Sequence, residues 1–279
     1  MKIRVSNSVK LFENKAKKAW DVDIWDGIDD PDQDLIFFGL YHDRDYEVFQ
    51  NFKGNRFVFW CGGDILRLAD DYERRRVLKI CPAIHYCETK KEAELLKRAG
   101  IDSHVIPSFL GLLKDYPISF SPPKDGKWKI WMCGHPHREK EYGFDQAREL
   151  AKIFPDVEFH IYGLTDDYDG RIRVESLPNV IYHGKVPETQ LDEEIRNYHC
   201  GFRANENDGI SEVAIKSILL GQFPIARLPY EGVWQYNSLP ELTELINKLK
   251  QQTQPNTIRE LWIKKLNNDA ILNHIPVLS

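Results

Sequence analysis

Residues 200–226 read CGFRANENDGISEVAIKSILLGQFPIA, and this stretch decides the fold. An apolar run at 200–203 ends in a polar loop, and residues 211–220 then have the length and apolar content of a buried helix. Gly221 closes that helix, because glycine readily adopts the left-handed backbone that follows a helix end. A second apolar run follows at 223–226. We therefore predict a strand, a helix and a second strand, a unit that joins parallel strands of one sheet.

The same alternation of short apolar runs and amphipathic runs extends back to Trp128. It predicts three more strands and two more helices, because short apolar runs are typical of strands in a parallel sheet and longer amphipathic runs of helices. The strands are expected at 128–132, 157–162 and 179–182, and the helices at 144–153 and 188–198. Residues 128–226 are thus predicted to form a parallel α/β domain of the nucleotide-binding type.

The first half of the chain has its own α/β alternation. Its strand candidates are rich in Ile, Val, Phe and Trp and are bounded by turn residues. Strands are predicted at 2–5, 34–40, 56–60, 83–87 and 104–107, and helices at 72–80 and 90–99. The acidic run at 21–34 is predicted to be a solvated loop. This half is therefore a second open α/β domain.

A stretch rich in proline, glycine and serine, residues 111–126, interrupts the alternation and is typical of a linker. After residue 241 the chain is predicted to be helical, with Pro255 as a break. The predicted organisation is an N-terminal domain at 1–115, a linker at 116–127, a C-terminal domain at 128–245 and, at 246–279, helices that could pack back on the first domain.

The composition indicates a folded globular protein: 42% of the 279 residues are hydrophobic and 12% are aromatic. A net charge of −5 provides no general attraction to nucleic acid or anionic lipid. The sequence has no apolar run long enough to cross a bilayer and no segment that resembles a signal peptide, so a cytoplasmic location is expected. The five cysteines form no CxxC pair, and we expect neither a disulfide framework nor a metal site.

Three strand–helix junctions in the second half are candidate ligand sites, because ligands bind outside the carboxyl ends of parallel strands, where the N-termini of the following helices present backbone N–H groups. At the first junction, Gly134 ends a strand, and His135, Arg138 and Lys140 follow as candidate phosphate partners. A solvated charged loop is the alternative interpretation of that segment.

At the second junction, Gly163 and Gly184 end apolar strands where a backbone could approach a flat ring closely. At the third, Asp208 and Gly209 precede the helix that starts near Ser211. A carboxylate at this place would accept hydrogen bonds from hydroxyl groups rather than bind phosphate. Alternatively, Asp208 or Ser211 is only a helix N-cap.

The order and spacing of these junctions resemble the donor domain of GT-B glycosyltransferases, especially glycosyltransferase family 4. The resemblance covers residues 128–230, and the first half resembles the family only in architecture. It is carried by Gly134, Arg138, Lys140, Tyr142-Gly143, Tyr162-Gly163, Asn179 to Gly184, Asp208-Gly209-Ile210-Ser211, Lys216-Ser217, Gly221 and Pro224-Ile225-Ala226. Two departures stand out: the family's paired acidic residues are Asp208 and Lys216 here, and its first basic residue is His135.

The resemblance implies a GT-B fold, with two Rossmann-like domains facing a cleft. It also implies transfer of a sugar from a UDP- or GDP-sugar with retention of configuration and with no required cofactor. Catalytic roles then fall to Asp64, Arg138, Lys140 and Asp208. The donor would be held by Gly134, His135, Gly163, Gly184, Val186, Arg203, Gly209, Ile210, Ser211 and Lys216.

The first half would be the acceptor side, where an aromatic strand runs into Gly62, Gly63 and Asp64. The glycines would let the backbone approach an acceptor, and Asp64 could act as a base or bind a hydroxyl; a turn with a helix cap is the alternative. A saccharide or a lipid-linked sugar is the first expectation for the acceptor.

Two other functions stay open. One is a phage-type DNA glycosyltransferase that acts on a flipped-out hydroxymethylated base. The other is a non-catalytic GT-B module that binds a nucleotide sugar or a partner protein. Lys216 favours the second function, whereas the basic loop and Asp208-Gly209 disfavour it. A dinucleotide-dependent oxidoreductase is disfavoured because Ser6-Asn7-Ser8 stands where a GxGxxG motif would follow the first strand.

Overall fold

The computed structural model describes residues 1–28, 30–68, 70–135, 138–163, 177–206 and 208–266. These fall into two compact units. The first unit comprises residues 1–112 together with the short segments 208–210 and 264–266. The second unit comprises the other described residues between 113 and 263.

The first unit is built on a six-stranded parallel sheet with the strand order β2-β1-β3-β4-β5-β6. Its strands are β1 Lys2–Val5, β2 Asp23–Ile24, β3 Asp34–Phe38, β4 Asn55–Phe59, β5 Ile84–Cys87 and β6 His104–Val105. Its helices are α1 Glu13–Trp20, α2 Asp43–Asn51, α3 Tyr72–Ile80 and α4 Lys90–Arg98. Apolar side chains cover both faces of the sheet, as a parallel sheet requires.

The second unit has its own six-stranded parallel sheet, with the order β12-β11-β10-β7-β8-β9. Its strands are β7 Trp128–Cys133, β8 Val157–Tyr162, β9 Val180–Gly184, β10 Cys200–Arg203, β11 Ile225–Ala226 and β12 Trp234–Gln235. The helices along this part of the chain are α5 Glu139–Tyr142, α6 Phe144–Ile153, α7 Glu188–Glu194, α8 Glu212–Leu219, α9 Leu239–Leu249 and α10 Arg259–Lys265. The predicted α/β class with two parallel sheets is confirmed.

The strand–helix–strand unit predicted at 200–226 is present as β10, α8 and β11. Phe202 of β10 pairs with Ile225 of β11 in parallel register. From Val213 to Leu219 every residue of α8 is buried, which explains why its sequence is almost continuously apolar. Gly221 ends the turn with φ of +77°. Within the described ranges, no helix combines the length and apolar character needed to cross a lipid bilayer.

The sequence prediction missed several short elements. The run predicted as a solvated loop contains β2, a two-residue edge strand that pairs with β1. Helix α1 buries only Ala16 and Trp20, so its apolar periodicity is weak. Helix α2 begins with charged residues and is held by Asp45, whose Oδ2 accepts hydrogen bonds from the backbone N–H of Tyr41 and of His42, each at 2.9 Å.

The strand order fixes where a ligand is expected in the second unit. The chain progresses in one direction from β7 to β8 and β9, and in the other direction from β10 to β11 and β12. The loops that follow β7 and β10 therefore leave the sheet in opposite directions. In open parallel sheets ligands bind outside the carboxyl ends of the strands at such a switch point. A ligand site is therefore expected at the carboxyl ends of β7 and β10.

Candidate functional site

Two arginines meet on one aromatic ring at the carboxyl ends of β7 and β10. The guanidinium carbon of Arg203, at the end of β10, lies 4.6 Å from the ring centroid of Tyr142. That of Arg138, in the loop after β7, lies 5.7 Å from the same centroid. Hydrogen bonding to Glu141 raises the pKa of Arg138 above its usual value, so its charge is secure. The structure thus brings together two of the predicted anion-binding residues.

Gly143 fixes the loop of Arg138 beside Arg203. Its φ is +80°, and a Cβ at this position would lie 2.5 Å from Cβ of Ala204, directly after Arg203. Only glycine allows the turn between α5 and α6 to approach the end of β10 this closely. The spacing between the two arginines is therefore set by backbone packing and not by flexible side chains alone.

Three strand-ending glycines lie side by side at the same edge. The N–H of Gly134 donates to the carbonyl of Tyr162 at 2.9 Å, and the N–H of Gly163 donates to the carbonyl of Gly184 at 2.8 Å. A Cβ on Gly163, whose φ is +88°, would lie 2.4 Å from the Gly134 carbonyl oxygen. A Cβ on Gly134 would lie 2.0 Å from the Phe144 ring. Close packing therefore requires glycine at 134 and 163, and all three half-buried positions lack a side chain at this edge.

Ser211 provides an unused polar group at the start of α8. Ser211 is 4% exposed, and its Oγ is buried and has no hydrogen-bond partner. It occupies the N-cap position of the eight-residue helix Glu212–Leu219, where backbone N–H groups also point outward. Of the other predicted donor residues, His135 and Lys140 are exposed and Val186 is half-buried. The positions next to His135, residues 136 and 137, lie outside the described ranges.

Lys216 is engaged elsewhere. Its side chain is 3% exposed, and its Nζ donates to Oδ1 of Asp192 at 2.8 Å and to Oε1 of Glu188 at 3.0 Å. Burial lowers the pKa of Lys216, but Glu212, Tyr116, Asp192 and Glu188 raise it more strongly, so the ammonium stays charged. The predicted donor contact of Lys216 would require an ammonium that is already paired with carboxylates of α7.

In the first unit, Asp64 joins the ends of two neighbouring strands. Its Oδ2 accepts a hydrogen bond from the N–H of Leu40 at 3.1 Å, and its Oδ1 accepts one from the N–H of Cys61 at 3.0 Å. Asp64 is 1% exposed, and burial raises its pKa to about 6. Between Cys61 and Asp64, Gly62 adopts a φ of +84°. Asp64 thus holds the Gly62–Gly63 turn in place from inside the unit.

The segment 208–210, which belongs to the first unit, lies against Glu88 and Glu92, two acidic residues that are not among the predicted site residues. Oε2 of Glu88 accepts a hydrogen bond from the N–H of Ile210 at 2.7 Å. A Cβ on Gly209 would lie 2.2 Å from the same oxygen, and a Cβ on Gly62 would lie 2.8 Å from the N of Gly209. Burial and the neighbouring Glu92 raise the pKa of Glu88 well above its usual value. The sequence pattern Thr89-x-x-Glu92, which is typical of a capping box, could have indicated that α4 starts here and that Glu92 lies at its N-terminus.

Asp208 itself is half-buried. Among the described residues, no group of three or more His, Cys, Asp or Glu side chains is arranged to hold a metal ion. The five cysteines, all within the described ranges, are free thiols.

Models of known protein families give no match to the chain, and neither do curated protein sequences. Solved structures do match. Sucrose-phosphate synthase from Thermosynechococcus elongatus superimposes with a TM-score of 0.64 at 16% identity, over 87% of this chain and 71% of that one. The lipopolysaccharide outer core galactosyltransferase WaaB, in its apo form, gives a TM-score of 0.64 at 14% identity, over 97% of this chain and 83% of that one.

A third match is the pneumococcal O-GlcNAc transferase GtfA in complex with UDP and GlcNAc, with a TM-score of 0.60 at 13% identity. It covers 88% of this chain, but this chain spans only 56% of that one. At such low identity these likenesses establish the fold alone. The chain has the α/β fold of GT-B glycosyltransferases, as the sequence predicted, whereas a place in family 4 stays a prediction.

Proposed function

We propose that this protein is a glycosyltransferase that transfers a sugar from a nucleoside-diphosphate sugar to an acceptor hydroxyl. The single observation that carries this proposal is the pair Arg138 and Arg203 around Tyr142, at the switch point of the second sheet. A cationic pair at this place suits a diphosphate, because each guanidinium offers a planar set of donors to phosphate oxygens. The fold shared with glycosyltransferases supports the same function.

In this proposal the carboxyl ends of β7 and β10 stabilise the departing diphosphate. As the bond between the sugar and the diphosphate breaks, negative charge grows on the terminal phosphate oxygens, and fixed cations and N–H dipoles lower the energy of that state. We assign this role to Arg138, Lys140 and Arg203. The N-terminus of α8, with the unpartnered Oγ of Ser211, supplies further donors.

The glycine-ended strands suit the nucleoside. Gly134, Gly163 and Gly184 have no side chains, so we propose that a planar base or a ribose lies against these strand ends. Val186 and His135 complete the border of this subsite in our proposal. UDP is the nucleotide we would test first, because GtfA was crystallised with UDP.

Asp208, Gly209 and Ile210 are proposed to contact the donor sugar, with retention of configuration, as the family 4 resemblance implies. For Asp64 we propose a positioning role, since both of its carboxylate oxygens accept backbone hydrogen bonds inside the first unit. Gly62 and Gly63 would then be the acceptor-side contacts that Asp64 holds. A saccharide or a lipid-linked sugar is our proposed acceptor.

The rival proposal of a non-catalytic module loses its main support. That rival rested on Lys216 at a place where the family has an acidic residue. The Lys216 ammonium pairs with Asp192 and Glu188, so the presence of a lysine where the family has an acidic residue has a structural explanation within the second unit. Catalysis therefore stays the stronger proposal.

The test is a screen of UDP- and GDP-sugars by thermal shift, followed by donor hydrolysis and product analysis by NMR. A ligand that binds only the folded state raises the melting temperature, and the rise grows with the logarithm of the ratio of its concentration to its Kd. We expect one donor to stabilise the wild type and to be hydrolysed slowly, and Arg138→Ala with Arg203→Ala to abolish both effects. Stabilisation without any turnover, with or without acceptor saccharides, would instead establish the binding module.

A further inference from the structure

A second concave site lies on the second unit, away from the glycine-ended strands. A cavity of about 360 Å³ is lined by residues 119, 121–125, 127 and 129 and by Arg196 to His199, which precede β10. Trp128 begins β7 beside this cavity, whereas Cys133 ends β7 next to Gly134. Six residues of strand separate the two edges by roughly 17–20 Å. The cavity is therefore distinct from the candidate donor site.

Cationic side chains dominate the lining. Lys124, Lys127, Lys129 and Arg196 face the cavity, against the single carboxylate of Asp125. Lys127 forms a salt bridge with Glu158 at 3.1 Å. Within the described part of the chain, neither Lys124 nor Lys129 has a carboxylate oxygen within 4 Å. In a chain of net charge −5, this is a local reversal of sign, and a concave surface of one sign concentrates counter-ions.

Two neutral side chains, those of Ser119 and His199, also line the cavity. Oγ of Ser119 is a buried atom without a hydrogen-bond partner. His199 contributes shape rather than charge: its Nδ1 accepts a hydrogen bond from the N–H of Lys129 at 2.9 Å, and it is 5% exposed. Burial lowers the pKa of His199 to about 4, so the ring is neutral at physiological pH.

We propose that this cavity binds a ligand through a phosphate or diphosphate group. Lysine ammonium groups are compact charges suited to phosphate oxygens, and a serine hydroxyl can donate to the same oxygens. The volume lies at the lower end of the range for small-molecule sites, which fits a phosphate with a small attached group. Such a group could be part of a free phosphorylated compound or of an anionic lipid headgroup, and the two sources can be separated by experiment.

The test uses the full chain and two probes, inorganic pyrophosphate and vesicles of phosphatidylglycerol with phosphatidylcholine. All measurements are made in an Arg138→Ala, Arg203→Ala background, so that binding at the proposed donor site does not contribute. The variant Lys124→Ala, Lys129→Ala removes the two lysines without salt bridges. The control Lys90→Ala, Lys97→Ala removes two exposed lysines from α4 of the first unit. Because all four lysines are at least partly exposed, both variants should fold.

We expect calorimetry to detect pyrophosphate binding that weakens at least tenfold in Lys124→Ala, Lys129→Ala and is unchanged in the control. Ser119→Ala should weaken it less, by a factor of a few. Co-sedimentation with the anionic vesicles that is lost in the same variant would identify a lipid headgroup as the source, and pyrophosphate binding without co-sedimentation would identify a free phosphorylated ligand. Absence of binding to both probes, or equal binding by both lysine variants, would overturn the proposal whatever the outcome for sugar transfer.

Discussion

The ammonium of Lys216, in the buried helix α8, donates to the carboxylate of Asp192, in helix α7, at 2.8 Å. Tyr116 donates to the other oxygen of the same carboxylate at 2.7 Å, and the Lys216 ammonium also lies 5.6 Å from the Tyr116 ring centroid. Lys216, which the sequence analysis predicted to hold the donor, is thus part of a charge network that joins two helices and the segment before β7.

Lys216→Met tests whether this network is structural. Methionine keeps the stem but leaves Asp192 and Glu188 without their cation. Loss of one partner of a buried pair typically costs 3–5 kcal/mol, and the 23% and 40% exposure of these two side chains should reduce the cost to about 2 kcal/mol. Urea unfolding should report that loss, whereas Lys90→Met, an exposed change of equal charge, should have almost no effect. If Lys216→Met instead leaves stability unchanged and weakens donor binding, Lys216 is a donor-binding residue and not a structural one.

Arg138→Ala and Lys140→Ala should reduce sugar transfer far more than stability. Arg138 is exposed and pairs with the exposed Glu141, an interaction worth about 1 kcal/mol or less. A lost charge-assisted hydrogen bond to phosphate is worth roughly 1.5–3 kcal/mol, or about 10- to 100-fold in kcat/KM. The matched control is Arg148→Ala, which removes a similar pair with Asp145 on α6. If the control loses as much transfer as Arg138→Ala, the assignment of the diphosphate site is wrong.

Gly163→Ala should lower the free energy of unfolding more than Gly126→Ala, a substitution at another glycine with positive φ. Both Gly163 and Gly126 have positive φ, so alanine at either place costs roughly 1–2 kcal/mol. Around Gly126 a Cβ would meet no atom within 4 Å, whereas at Gly163 it would lie 2.4 Å from a carbonyl oxygen. Comparison of the two variants by urea unfolding isolates the steric part. Equal losses would mean that the packing of Gly163 against Gly134 is not rigid.

The sequence predicted the longer elements of the fold because their periodicity is strong. Helix α8 and strand β10 could be recognised from apolar content and a closing glycine. Helix α1 could not, since its core contacts are few, and β12 has only two residues, which leave no alternation to detect.

Residues of the candidate site could be predicted where a charged side chain lies at or just after the end of a predicted strand, as Arg203 and Arg138 do. Their meeting on Tyr142 depends on the strand order, which sequence spacing does not encode. The structural engagement of Lys216 and the packing of Glu88 against Ile210 were not predictable for the same reason. Both involve residues far apart in the chain, and a single sequence gives no distance between them.

Asp64→Ala separates a positioning role from a catalytic one. Removal of the carboxylate leaves the buried N–H of Leu40 and the partly buried N–H of Cys61 without an acceptor, at a cost of roughly 2–4 kcal/mol. We expect a lower melting temperature and reduced turnover, with donor affinity retained. Asp102→Ala, an exposed change in the same unit, should do neither. Full stability with a large loss of kcat would show that Asp64 acts on the substrate, and loss of donor binding would show that its placement on the acceptor side is wrong.

Glu92 gives the first unit a distinctive dependence of stability on pH. Its Oε2 accepts hydrogen bonds from the N–H groups of Glu88 and Thr89 and from the Thr89 hydroxyl, while its Oε1 is buried without a partner. Burial raises the pKa of Glu92 from 4.5 to about 7, with Asp64 as a neighbouring negative charge. The folded state therefore retains the proton over a range in which the unfolded chain releases it. The stabilising contribution is complete below pH 4.5 and is lost as the pH rises through 7.

Glu92→Gln should remove the part of this dependence that Glu92 contributes, whereas Asp64 and Glu88, whose pKa values are also raised by burial, keep theirs. Glutamine can place its carbonyl oxygen at the Oε2 position and its amide at the unpartnered Oε1 position, with no group left to ionise. The variant and the wild type should be similar at pH 4.5, and the variant should gain on the order of 2–3 kcal/mol relative to the wild type by pH 8. Urea unfolding at pH 4.5, 6 and 8 measures the difference, and Glu94→Gln, an exposed change on the same helix, should show none. A gap that is constant with pH would mean that folding does not change the pKa of Glu92, which would contradict this prediction.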